Sequence, residues 1–155
     1  VLTRGEAEHW WLEEWRLPTS ESATGFRLRL YLPKGSRAPY QTVVFGPSNT
    51  ARLLADFERA TTREFTFLVR AGRAVAIAEF PGTYGRRLPP DASPQARNAL
   101  LPQWGHDTGR IVDFLEEHPK IDGQRIAWYG LSLGGNVGVF MLAVEPRFAT
   151  GILQA

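Results

Sequence analysis

Gly130-Leu131-Ser132-Leu133-Gly134 spells G-x-S-x-G between a strand-like run, Arg125 to Tyr129, and a helix-like run, Gly135 to Val144. That order of residue types suits one chemistry. A serine on a sharp strand-to-helix turn holds its hydroxyl away from the main chain. Glycines two residues before and after it keep side chains out of the crowded backbone. Such a serine can attack an acyl carbon once a base takes its proton; without a base the hydroxyl is a weak nucleophile. The competing explanation is a glycine-rich turn that only lets a helix pack closely on a strand. The strand before, the helix after and the additional Gly135 favour the nucleophile.

Acyl transfer also needs donors aimed at the oxygen that becomes negative. The backbone N–H of Leu133 fits, at the helix start, where amides lack intrahelical partners and the dipole is positive. A second donor is expected from the turn after an earlier buried strand, and Gly46-Pro47-Ser48-Asn49 is that turn. Pro47 has no N–H, so Ser48 is the expected donor, with Asn49 next and a candidate for lining the pocket. His9 looks like a surface position and His118 like a helix end. His106 is expected near the N-terminus of a helix over Asp107 to His118. Helix starts share a side of a parallel sheet with the strand C-termini, so His106 is a pocket-lining candidate. As the base for Ser132 it would break the usual chain order of a triad. The 23 residues after Ser132 contain neither Asp nor His. Asp107, Arg110 and Asp113 read as charge pairs on a solvated helix face. No metal is expected, because the sequence has no H-E-x-x-H, acidic ligand ladder or histidine cluster. No cofactor is expected either, because it has no G-x-G-x-x-G or phosphate-binding loop.

The elements that would position these groups alternate. Trp10 to Leu17 and Phe26 to Leu32 suggest an antiparallel hairpin at a sheet edge, over residues 10–32. Pro18 to Thr24 is its turn, and Arg27, Arg29 and Tyr31 form a wet face. Residues 41–155 read as a parallel strand/helix core. Its buried strands are Thr42 to Phe45, Ala74 to Phe80, Ile126 to Tyr129 and Ala149 to Leu153. Helices are expected over Thr61 to Arg70, over Asp107 to His118 with Ile111, Phe114 and Leu115 inward, and from the elbow to Val144. Strands alternating with amphipathic helices imply an α/β fold with a mostly parallel sheet and right-handed crossovers.

The chain has 155 residues, 43% apolar and 22% charged, which fits one globular domain over 1–155. It has no cysteine, which removes disulfides and thiolate nucleophiles. The net charge is +2 and the arginines are dispersed, with Arg86-Arg87 the only adjacent pair, so no nucleic-acid partner is expected. The longest apolar run, Val139 to Val144, is too short to cross a bilayer, so no membrane partner is expected. The first residues of the chain, with Glu6, Glu8, Glu13 and Glu14, do not read as a basic stretch followed by an apolar one. The compartment stays open, with the cytoplasm slightly favoured. The only methionine is Met141 and the sequence stops at Ala155 as a strand pattern finishes, so a piece of a longer polypeptide is expected.

From about Phe26 onward the chain resembles the α/β-hydrolase superfamily, in its dienelactone-hydrolase, acetyl-xylan-esterase and prolyl-oligopeptidase-like branch. The likeness rests on Gly130 to Gly135 after Arg125-Ile126-Ala127-Trp128-Tyr129, and on Ile121-Asp122-Gly123 ahead of that strand. Glu145-Pro146-Arg147, Phe45-Gly46-Pro47-Ser48 and Gly82-Thr83-Tyr84-Gly85-Arg86 add to it. It implies the N-terminal portion of such a domain, truncated before the last strands. It implies Ser132 as nucleophile, Leu133 N–H in the oxyanion hole, Tyr84 beside the pocket and an acyl-enzyme cycle. It also implies an Asp and then a His on later loops, which are not in this chain and would lie in a missing C-terminal segment of the same polypeptide. Peptidases of the branch often carry an aromatic after the serine. Leu133 therefore points to a carboxylic ester hydrolase acting on a small-molecule ester, with a serine peptidase or a non-catalytic binding or regulatory module as alternatives. The parent protein is expected to be an enzyme, and these 155 residues alone inactive.

Overall fold

A computed structural model describes residues 1–19, 22–55, 57 and 62–154. Its strands are β1 (Thr3–Glu6), β2 (Trp10–Thr19), β3 (Ser22–Pro33), β4 (Tyr40–Gly46), β5 (Ala74–Ala78), β6 (Ile121–Leu131) and β7 (Thr150–Gln154). They form one sheet in the order β1-β2-β3-β5-β4-β6-β7. The pairs from β1 to β5 by way of β2 and β3 are antiparallel, and β5, β4, β6 and β7 run parallel. The helices are α1 (Thr50–Leu53), α2 (Thr66–Arg70), α3 (Pro94–Asn98), α4 (Leu100–Glu117) and α5 (Leu133–Val144). This is the α/β sheet with an antiparallel N-terminal part that the sequence implies, but it is evenly mixed, with three antiparallel and three parallel pairs.

The inner strands are apolar on both faces because both faces are covered. Leu28, Leu30, Val44, Ala76, Ile126 and Trp128 join one buried cluster with Ile111, Val112 and Leu115 of α4 and Met141 of α5. Their alternate neighbours, among them Tyr31, Val43, Phe45, Val75, Ile77 and Tyr129, join a second cluster with Phe57, Phe65, Leu68 and Val69. Period-two alternation thus divides each strand between two cores. On β5 the first cluster takes Ala74, Ala76 and Ala78 and the second takes Val75 and Ile77. The small side chains face α4, which carries the bulk of Trp104 and Leu115.

Several expectations are corrected. β1 lies outside the hairpin, so β2 is not the edge, and β3 pairs with β5 in the interior. The supposed wet face of β3 is covered: Arg29 is 5% exposed and Tyr31 3%. Arg29 donates to Glu14 at 2.8 Å and to the Phe57 carbonyl at 3.0 Å, and Arg27 donates to Glu79 at 2.8 Å. Both guanidinium groups lie over the Phe57 ring. Charge here is inside, paired across strands. Pro18 and Thr19 continue β2 instead of turning, with a register shift between Leu17 and Thr19 that accommodates the proline. Ser20 and Glu21, the tip of the expected turn, lie outside the described residues.

The helix expected over Thr61 to Arg70 is a 3-10 turn (Thr62–Glu64) followed by α2, and Thr61 lies outside the described residues. Phe65 separates the two, with φ −136° and its ring 5.3 Å from Phe45 and 4.9 Å from Tyr31. α4 begins at Leu100, seven residues before the expected start. Pro102 concealed that start, yet in the first turn its missing N–H has no intrahelical partner to lose. Asp107 is therefore not on a solvated face: it is 2% exposed and pairs with Arg86. Arg110 and Asp113 do form an exposed pair, at 3.7 Å. α3, capped by the Ser93 hydroxyl accepting from Ala96 N–H at 3.2 Å, lies in what reads as plain loop. β7 is not a buried strand, since Ile152 is 59% exposed and Leu153 41%. It is the last strand of the sheet and has a neighbour on one side only.

His118 ends α4 but is buried, 3.1 Å from Glu13, which also accepts from Lys120 at 2.9 Å. Burial pushes the Glu13 carboxyl up, but the hydrogen bonds from Lys120 and His118 outweigh it and hold the group below its ordinary 4.5. Hydrogen bonds from Arg147 lower Glu145 in the same way, against the opposing effect of burial. Each carboxylate takes up a proton less readily in the folded chain than in the unfolded one. Its stabilisation is complete above the unfolded value and is lost as pH falls through the lower folded value. Urea midpoints measured against pH should therefore decline as pH drops below about 4.5. Glu13→Gln should make that decline shallower and cost about 1–2 kcal/mol at neutral pH. An unchanged acid slope would refute the assignment.

Candidate functional site

β6 ends at Leu131 and α5 begins at Leu133, which leaves Ser132 alone at the corner. Its backbone has φ 51° and ψ −106°, and among the described residues only it and Tyr84 are non-glycines at positive φ. Such a conformation costs about 1–3 kcal/mol and persists only where the surroundings enforce it. Three hydrogen bonds supply the enforcement. Ser132 N–H donates to the Gln154 carbonyl of β7 at 2.6 Å, and its own carbonyl accepts from Asn136 N–H at 3.0 Å. Gly134 N–H donates to the Pro47 carbonyl at 3.0 Å. The Ser132 side chain makes no capping bond to α5 and is exposed.

The glycines are required sterically. A Cβ on Gly130 would fall on the Gly134 carbonyl, and a Cβ on Gly134 would fall on the Gly46 carbonyl. A Cβ on Gly46 or Gly138 would strike the Trp128 indole. That ring, fully buried, donates from Nε1 to the Gly134 carbonyl at 3.3 Å. Strand, turn and helix thus meet backbone to backbone on one tryptophan.

The same contact holds the turn that carries Ser48 against the start of α5. Leu133 is the first residue of α5, and Ser48 shares a peptide unit with the Pro47 carbonyl that holds Gly134. Among the first four N–H groups of α5, those of Gly134 and Asn136 are engaged as described. That of Leu133 has no acceptor within the helix. Ser48 is half-buried, and its hydroxyl donates to Glu64 at 2.6 Å, which anchors the turn to the 3-10 segment. Asn49 is exposed at the start of α1. Tyr84 is 3% exposed, with its ring 5.0 Å from Phe57. Burial, and after it the Glu64 carboxylate, push its phenol above the usual range. Tyr84 packs in the second buried cluster with Phe57 and Ala51.

His106 lies in the middle of α4 and not at its start, a consequence of the earlier helix origin. It is exposed and lines a cleft of about 290 Å³ with Thr19, Gly109, Arg110, Asp113 and Arg147; Ser132 is not among the lining residues. Among the described residues no group of three His, Cys, Asp or Glu could hold a metal ion, and no helix is long and apolar enough to cross a membrane.

Sequence reasoning missed three supports of the corner: Gln154, Glu64 and the Gly46–Trp128 contact. The spacing of Gly130, Gly134 and Gly138 is a visible signal for a close helix approach. Nothing local marks Glu64 or Gln154.

No family model matches the chain. It is 29% identical over 143 residues to the esterase FrsA of Serratia proteamaculans (strain 568), which covers 90% of this chain and 30% of that protein. The chain thus spans about a third of the curated relative's length. An acetyl xylan esterase from Paenibacillus sp. R4 superposes with a TM-score of 0.70 at 18% identity, over 97% of this chain and 51% of that one. A prolyl endopeptidase structure superposes with a TM-score of 0.66 at 18% identity, over 92% of this chain and 20% of that one. The fold is that of the α/β-hydrolases.

The corner generates a pair of opposite outcomes. Ser132→Gly removes the strain at positive φ and should be about 1 kcal/mol more stable to urea than Ser132→Ala. Gly134→Ala drives a methyl into the Gly46 backbone, which has no side chain to move aside, and should cost about 2–3 kcal/mol. Equal urea midpoints for the two serine variants would contradict the strain.

Proposed function

We propose that Ser132 is the nucleophile of a carboxylic ester hydrolase that works through an acyl-enzyme. The observation that carries this reading is the positive-φ corner at Ser132, an exposed residue held by β7, α5 and the Pro47 turn. In the reaction a base takes the Oγ proton as Oγ attacks the acyl carbon. The carbonyl oxygen becomes an oxyanion that accepts from the N–H groups of Leu133 and Ser48. The alcohol leaves with the proton, and water repeats the sequence to release the acid. The base and the acid that orients it would be a His and an Asp supplied from outside these residues, as neither type follows Ser132 here. An ester rather than a peptide is supported by Leu133 where related peptidases often carry an aromatic, and by likeness to esterases. Likeness to a prolyl endopeptidase supports peptide hydrolysis as the second reading.

A fluorophosphonate probe on the intact natural polypeptide should label Ser132, and 4-nitrophenyl acetate should be hydrolysed. Ser132→Ala should abolish labelling and lower kcat by about a thousandfold or more. The 155 residues alone should hydrolyse the ester no faster than their Ser132→Ala version. Absence of labelling in the intact protein would move the reading to a non-catalytic binding module.

A further inference from the structure

We propose that an arginine-walled cleft beside the elbow selects esters bearing a carboxylate away from the scissile bond. Leu133 lines a cleft of about 270 Å³ with Trp104, Val137 and Phe140, and Arg52 and Arg97 stand at its wall. The same two arginines and Leu100 also line a larger cleft of about 810 Å³, where Arg87 joins them. The two concavities therefore share a wall, and the shared wall is cationic. Its three guanidinium groups come from separate segments: α1, the loop after the 3-10 turn at Tyr84–Arg86, and α3.

No Asp or Glu is among the described residues lining either cleft. Elsewhere arginines meet carboxylates: Arg29 meets Glu14, Arg86 meets Asp107 and Arg147 meets Glu145. Among the described residues those at the cleft do not: Arg97 donates to the carbonyls of Ala92 and Pro90, at 3.1 and 2.8 Å, and Arg87 to the Leu53 carbonyl at 3.3 Å. Arg52 has no partner among the described residues. Three like charges converging on one concavity repel one another until an anion enters. Guanidinium forks bind a carboxylate through paired N–H donors. The apolar floor of Trp104, Val137 and Phe140 suits a hydrocarbon chain between that carboxylate and an ester at Ser132.

This inference rests on Ser132 as the acyl-accepting residue, and the experiment separates the two. On the intact natural polypeptide, kcat/KM is measured for 4-nitrophenyl monoesters of straight-chain dicarboxylic acids against fatty-acid esters of equal length. A second series sets acetates of ω-hydroxycarboxylic acids against acetates of simple alkanols. Adipate binding is followed by calorimetry in parallel. The acidic member of one series should be preferred about tenfold, and 0.5 M NaCl should erode the preference. Arg52→Gln should remove the preference, weaken adipate binding and leave the neutral esters unchanged; Arg87→Gln should act likewise. Equal rates for acidic and neutral esters in both series, with adipate heats unaffected by Arg52→Gln, would overturn the cleft while leaving Ser132 in place. Adipate binding that depends on Arg52, with no ester hydrolysed and no phosphonate label, would keep the cleft and overturn the nucleophile.

Discussion

Everything near the elbow depends on two stretches of main chain touching without side chains between them. Gly134 at the start of α5 meets Gly46 at the end of β4, and Gly130 at the end of β6 meets Gly134 from below. Close packing leaves no slack at such a junction. One methyl group at any of the three would push α5 off the sheet. The Trp128 indole would lose its hydrogen bond to Gly134, and the Pro47 carbonyl its bond from the same residue. The distance between the serine corner and the amides of the opposing turn is therefore set by backbone contact. Rotamer changes in neighbouring side chains cannot alter it.

This explains what was legible in the sequence and what was not. Short apolar runs bounded by glycine and proline announced β4, β5 and β6, and the G-x-S-x-G pattern announced the corner. These are local signals, and the parallel order follows from chain alternation. Apart from α3, the failures are tertiary. Arg27 and Arg29 look solvated because alternation with leucine means a wet face when one side of a sheet is open. Here Phe57 and Glu14 close that side. The start of α4 hid behind Pro102, whose effect depends on its position within a helix not yet located. Asp107 looked exposed because its partner, Arg86, lies 21 residues away in a loop with no periodicity. Gln154 and Glu64 left no trace, since a carbonyl or carboxylate that anchors a distant turn has no pattern of its own.

The antiparallel half of the sheet is held differently from the parallel half. Its two faces each carry an ionic layer: Glu13 with His118 and Lys120 on the α4 side, and Glu14 with Arg29 and Arg27 on the other. Buried pairs of this kind add little to net stability over apolar packing, because desolvation offsets most of the attraction. They do fix register. A one-residue slip of β2 against β3 would take Glu13 away from His118 and Lys120 and Glu14 away from Arg29.

The strained serine is anchored to the Gln154 carbonyl, 22 residues further along the chain. A ribosome delivers residues in order, so the corner cannot lock until β7 has emerged and zipped against β6. Until then α5, apolar along much of its length, has β6 and the Pro47 turn to rest on but not β7. The strained conformation is thus completed late in synthesis, after the scaffold that must constrain it. A nascent chain caught short of β7 presents a serine corner without its Gln154 anchor.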